Sequence, residues 1–212
     1  MMSLTSSFHA PATAHAAVPE DRTTLRGAIA FTALILLGFG LLYSLVGAVL
    51  GRALFPHQAT GSIVTVEGRA RGSELVAQSF ADARYFQPRP SAAGYDPMAA
   101  AGSNLARSNP DLRKRIAELT HEVARREGIA PSQVPADLVT QSGSGMDPHL
   151  SPAAVQVQVA RVARARGLGD AEVAALVARH VEAPTLGVLG EPRVNVLELN
   201  MALDAAKGRS VK

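Results

Sequence analysis

The chain is 212 residues long, with a formal net charge of +3, 4% aromatic residues and no cysteine. So mild a charge and so few aromatics exclude the basic, base-stacking surface of a single-strand nucleic-acid binder, and nucleic acid is not an expected partner. The missing thiols exclude disulfides, thiolate-held metals and a cysteine nucleophile.

Residues 1–25 are rich in Ser, Thr, Ala, Pro and His without an apolar period, and they read as a disordered tail. His9 and His15 stand six apart in that tail, too sparse a pair to hold a metal. Gly27 to Gly51 then gives 25 consecutive residues without a charged side chain, closed by Arg26 and Arg52. At about 1.5 Å rise per residue such a helix covers the ~30 Å hydrocarbon core of a bilayer, with its backbone bonds satisfied internally. Its apolar run is longer than that of a secretory signal, and Ala53-Leu54-Phe55-Pro56 offers no small-residue cleavage site, so an uncleaved anchor in a lipid bilayer is expected. Gly47 and Gly51, four apart, suit close approach by another helix and equally suit an ordinary membrane helix. Arg22 and Arg26 before the span are balanced by Arg52, Arg69 and Arg71 after it, so charge alone chooses no orientation. The expected plan is a tail at 1–25, a transmembrane helix at 26–52, one soluble domain at 53–206 and a tail at 207–212.

After Phe55-Pro56 ends the span, Ile63-Val64-Thr65-Val66 reads as a strand. Ser73 is an N-cap candidate for a short helix carrying Leu75, Val76 and Phe80 to about Ala83. Pro88 to Pro97 is too proline-rich for regular structure and reads as a fixed loop with Arg89 between two prolines. The clearest helix has Asn109 as N-cap, Pro110 at its first position, an apolar stripe of Leu112, Ile116, Leu119 and Val123, and a stop at Gly128. Its other face, Arg113, Lys114, Glu118, Glu122, Arg125 and Arg126, reads as a solvated surface. Leu138-Val139-Thr140 reads as a short strand running into the loop Gln141 to His149. A helix follows, with Ser151 as N-cap, Val155, Val159 and Val162 on one face, and Gly167 at its end. The next, capped by Asp170, carries Val173, Leu176, Val177 and Val181 to a stop at Pro184. Gly187 to Pro192 is a tight loop, and Asn195 with Glu198 resembles a capping box for a last helix burying Val196, Leu199 and Leu203. The fold class expected is α+β: one N-terminal transmembrane helix, then a single helix-rich soluble domain with a few short strands.

The loop before His149 is the chemically suggestive one. A strand, glycines and a helix N-terminus can present backbone N–H groups to an anion, yet no Lys follows the last glycine as in a P-loop. Ser144, Asp147 and His149 supply the groups of a membrane-anchored hydrolase-like enzyme. Gly143-Ser144-Gly145 lacks the spacers of a nucleophile elbow, and adjacent loop residues rarely converge, so local backbone satisfaction by Ser142, Ser144 and Asp147 is the leading reading. For Arg89 the leading reading is a salt bridge that fastens the proline loop, and for His149 a hydrogen bond beside a helix start.

Several motifs stand in one order: Gln78-Ser79-Phe80, Tyr85-Phe86 and Arg89-Pro90-Ser91-Ala92; Gly102-Ser103-Asn104-Leu105 with Ser108-Asn109-Pro110; and Val134-Pro135 with Asp137-Leu138-Val139-Thr140. Ser142-Gly143-Ser144-Gly145 with Asp147-Pro148-His149 and the run Leu189 to Leu197 complete the set. With the span, they resemble the KdpC family, the C subunit of the Kdp-type potassium-transporting ATPase, over residues 27 to about 204. Ala77 and Ala101 stand where that family usually has Gly. The resemblance implies a non-catalytic accessory subunit of an inner-membrane complex, single-pass, with its C-terminal domain extracytoplasmic. Its partners would be a potassium-carrying subunit and an ATP-hydrolysing subunit of the P-type class. It would act as a catalytic chaperone that raises the ATP affinity of the hydrolysing subunit through a ternary complex with ATP, without a metal of its own. By the same resemblance Gln78, Ser142, Gly143, Ser144 and Gly145 are nucleotide-binding candidates. Arg89, Asp147, His149, Glu191 and Arg193 are candidates for partner contact.

Overall fold

A computed structural model describes residues 24–207. Apart from Thr24, Leu25 and Lys207, the expected tails, with His9 and His15, lie outside the described residues. The chain divides into two units, one ending at Leu54 and one beginning at Phe55.

The first unit is one apolar helix, α1, Leu25–Leu54, 30 residues long. Thr24 caps it, its Oγ1 accepting from Gly27 N–H at 3.2 Å. The middle, Leu36–Tyr43, is wound as a π-helix. At about 1.5 Å per residue α1 is long enough to cross a bilayer. Gly47 and Gly51 have open space where a side chain would stand.

In the second unit a single turn, α2 (Pro56–Ala59), leads to the antiparallel hairpin β1 (Ile63–Val66) and β2 (Arg69–Ser73). Glu67 and Gly68 both take positive φ at its two-residue turn, as a hairpin with right-handed twist demands. The helix expected from Ser73 to Ala83 is absent: Ser73 ends β2, its Oγ donating to Gly61 O at 2.7 Å and accepting from Leu75 N–H at 3.1 Å. The chain from 77 to 87 instead has no regular structure and is interrupted by a turn at Asp82–Tyr85, where Tyr85 N–H donates to Asp82 O at 3.1 Å. Asn200 brackets Phe86, accepting from its N–H at 2.8 Å and donating to its carbonyl at 2.9 Å. Gln158 brackets Gln87 in the same way, at 2.8 and 3.1 Å. Two buried amides thus act as strand partners, and they outweigh the weak local helical spacing.

Pro97–Ala99 forms a 3-10 turn before α3, Pro110–Glu127, which carries the cap and stop expected: Asn109 Oδ1 accepts from Asp111 N–H, and Gly128 is left-handed. The strand expected at Leu138–Thr140 is instead a 3-10 turn, Ala136–Leu138, and Thr140 Oγ1 donates back to Ala136 O at 2.7 Å. Leu138 and Val139 are both buried, an arrangement that alternation in a half-buried strand does not give. Short 3-10 turns also occur at Pro131–Gln133. The strand lies after the loop: β3 (His149–Leu150) pairs with β5 (Arg193–Asn195), which pairs with β4 (Val181–Glu182), all antiparallel.

The helix after Ser151 is split into α4 (Pro152–Gln156) and α5 (Val159–Arg166) where Gln158 turns to Gln87. Helix α6 (Asp170–Arg179) stops at His180, before Pro184, because Val181 leaves to pair with Val194, and Gly169 rather than Asp170 is its cap. Asn195 Oδ1 caps α7 (Val196–Lys207), accepting from Leu197 and Glu198 N–H. One core joins these elements around Phe86, Leu150, Val162, Val173, Val194 and Leu199.

Candidate functional site

Three chain segments meet at the loop Ser142 to His149. The first is the proline loop. Arg89 Nη1 donates to Asp147 Oδ2 at 2.8 Å, and Ser91 Oγ donates to Gly145 O at 2.6 Å while accepting from Ala93 and Tyr95 N–H. Tyr95 Oη closes the loop on itself by donating to Arg89 O at 2.8 Å. The second is the segment ending in Gly102, whose missing side chain admits Gly143: a Cβ there would fall 2.7 Å from Gly143 O. The third is the chain after β2, where Ala77 N–H donates to Met146 O at 2.9 Å.

Two side chains of the loop, Ser144 and Asp147, are engaged locally. Ser144 Oγ accepts from Met146 N–H, Asp147 Oδ1 accepts from His149 N–H, and Ser142 is buried. Gly145 takes φ +68° with Ala101 O where its Cβ would stand, a backbone that an L side chain does not enter without strain. The anion-binding order of strand, loop and helix is not formed, since β3 follows the loop and α4 is one short turn.

Asp147 carries the loop's electrostatics. Burial pushes its carboxyl upward most strongly, but the hydrogen bonds from His149 and the Arg89 guanidinium together outweigh burial and hold it at about 2. The His149 ring lies alongside, Nδ1 3.6 Å from Asp147 Oδ1. The structure therefore brings Arg89, Asp147 and His149 together. Ser144 is turned to Met146, and among the described residues no hydrogen bond joins it to His149.

Gln78 lies elsewhere. Its amide donates to Arg71 O at 3.1 Å and occupies the space over Gly72. It lines a cleft of about 880 Å³ between the β1–β2 hairpin and α7, with Arg71, Tyr85, Leu197 and Asp204. Ser142–Gly145 are not among the residues that line this cleft.

In the three-stranded sheet, Arg193 Nη2 pairs with Glu182 Oε2 at 2.9 Å, and His149 stands opposite Asn195. Glu191 is exposed beside it. Burial, then Glu74 and Glu182, raise the Glu198 carboxyl above its ordinary range.

Residues that the sequence reading passed over hold this arrangement. Glu127, fully buried in its side chain, lies between Arg126 (2.6 Å) and Arg161 (2.8 Å), so Arg126 is not simply solvated as expected. Arg161 also donates to Ala83 O and Tyr85 O, and Arg166 to Arg84 O and Asp204, pinning the turn at residues 82–85. Gln158 and Asn200 were detectable as polar residues set among apolar helix positions. Among the described residues no group of three His, Cys, Asp or Glu is placed to hold a metal.

Residues 25–205 match the family model described as KdpC, K+-transporting ATPase, c chain. The chain is similar to a potassium-transporting ATPase KdpC subunit of Xanthomonas oryzae pv. oryzae, 62% identical over 187 residues, 88% of this chain and 90% of that one. It is also similar to the KdpC subunit of Sorangium cellulosum, 53% identical over 82% of this chain and 94% of the relative. A third relative, from Kineococcus radiotolerans, is 52% identical over 80% of this chain and 87% of its own.

Proposed function

The chain belongs to the KdpC family, the accessory c chain of the K+-transporting ATPase, and from that premise we propose how it serves a potassium pump. It is a non-catalytic, single-pass subunit of an inner-membrane complex. Its helix α1 anchors it beside a potassium-carrying subunit and an ATP-hydrolysing subunit, and its domain stands outside the cytoplasm. The observation that carries this reading is the coupling of a membrane-length helix to a domain that matches the family through residue 205.

In this role the domain stabilises the assembly and biases the pump toward the conformation that holds ATP tightly. A bias of about 1–3 kcal/mol changes an affinity elsewhere in a complex 5- to 150-fold, so no contact with nucleotide is required. Engagement of the Gln78 amide by Arg71 O, and of the Ser144 hydroxyl by Met146 N–H, favours this indirect route over a ternary complex with ATP. His149, Glu191 and Arg193 serve as partner contacts, while Arg89 and Asp147 set the loop that carries His149.

The test is assembly. With a tag on the hydrolysing subunit, deletion of this chain is expected to reduce recovery of an intact complex. Full recovery of a stable complex with unaltered ATP dependence would remove the proposal.

A further inference from the structure

The connection between β4 and β5 ends in a turn whose side chains point to solvent: Leu186 is 87% exposed, Val188 79% and Leu189 59%. The turn is rigid. Thr185 and Leu189 exchange both backbone hydrogen bonds, at 2.9 and 3.0 Å, and Gly187 N–H donates to Pro184 O at 2.9 Å. Leu186 sits at φ +55°, in the left-handed region where Gly or Asn is comfortable and a leucine is strained. The turn would relax with either of those residues, and the leucine reaches no core. Strained backbone that displays a functional group is a feature of clamps and binding sites.

The surroundings select the occupant. From Val181 to Pro192 there are two carboxylates, Glu182 and Glu191, and neither a basic nor an aromatic residue; Glu182 is paired with Arg193 just beyond the turn, and Glu191 is the exposed charge beside the aliphatic side chains. Segments that enter a bilayer surface carry Trp or Tyr at the headgroups and basic residues toward anionic lipid, whereas this turn offers no aromatic residue and one exposed carboxylate, Glu191. Exposed aliphatic side chains beside a charged residue match the anatomy of a protein interface instead, with its apolar centre and polar rim.

We propose that Leu186–Leu189 is a preformed knob that inserts into an apolar pocket with a basic rim on another subunit of the pump complex, with Glu191 facing that rim. This rests on the accessory-subunit reading, and the test separates the two. Because the chain has no cysteine, Val188→Cys gives a single site for an environment-sensitive dye on the full chain in phosphatidylcholine–phosphatidylglycerol nanodiscs. Adding the purified remaining subunits is expected to shift the dye's emission to the blue, while nitroxide-bearing lipids leave the chain alone unquenched. Leu186→Asn, which suits the left-handed backbone, should keep the melting temperature and weaken association about tenfold or more. Glu191→Lys should weaken it as well.

Association without a change in emission, or with undiminished affinity for Leu186→Asn, overturns the proposal. Quenching by nitroxide lipid in the isolated chain also overturns it, and assigns the turn to the bilayer. If the unsubstituted chain does not associate at all, the accessory-subunit reading fails and the knob with it.

Discussion

Arg89 Nη1 reaches Asp147 Oδ2 at 2.8 Å across 58 residues of sequence, tying the proline loop to the loop that carries His149. Both side chains are partly exposed, so solvent screens the pair and truncating one partner should cost about 1–3 kcal/mol. Arg89→Ala and Asp147→Asn, measured by thermal melting of the full chain in detergent and combined in a double-mutant cycle, should be clearly non-additive. Additive losses would mean that the pair is not coupled.

The same pair sets an acid limit. The Asp147 carboxyl is depressed from 3.8 to about 2 in the fold, so its contribution is present above the unfolded value and is lost as pH falls through the folded one. The melting difference between the native chain and Asp147→Asn should therefore be constant from neutral pH to about pH 4 and shrink toward pH 2. A difference that shrinks between pH 7 and 5 would assign the effect to another group.

Glu127 is the stronger structural charge, because its side chain is wholly buried between two guanidinium groups. Removing one partner of such a cluster leaves uncompensated charge, and Glu127→Ala should cost about 3–5 kcal/mol. Arg161→Ala should additionally loosen residues 83–85, read as faster amide exchange there than in α7.

Glycine separates packing from composition at the loop. Gly102→Ala would put a Cβ 2.7 Å from Gly143 O and should destabilise by about 1–3 kcal/mol, whereas Gly143→Ala meets open space and should stay within about 0.5 kcal/mol. Urea titration of the two variants checks the contrast. Equal effects would show that the loops do not touch as described.

The membrane role of α1 is tested by charge. Leu41→Arg, near the middle of the helix, should cost about 2.5–3.5 kcal/mol of insertion free energy in a translocon reporter, and Leu41→Ile should be silent.

What could be read from sequence follows the range of the forces. The span, the α3 cap at Asn109 and its stop at Gly128 are decided within a few residues, and the structure has them. The segment after Ser73 was misread because its partners, Gln158 and Asn200, lie 71 and 114 residues from the backbone they bind. Val181 was assigned to a helix because its apolar spacing continues α6, while its strand partner Val194 lies in a distant segment. Leu138 and Val139 have β-propensity, yet both turn inward on a 3-10 turn fixed by Thr140 and Pro135. At the candidate site the salt bridge of Arg89 is the fastening the proline loop called for. Ser91 gave no signal beyond its place in a motif, because a hydroxyl's three partners are set only by the folded loop.

The most direct measurement is potassium-stimulated ATPase activity of the purified complex, with and without this chain, scanned over ATP concentration. The account predicts that omission raises the apparent KM for ATP of the smaller fraction of complex that is still recovered intact, and that Gln78→Ala leaves KM unchanged because the effect does not pass through nucleotide contact. An unchanged KM on omission of the chain from an intact complex would contradict it.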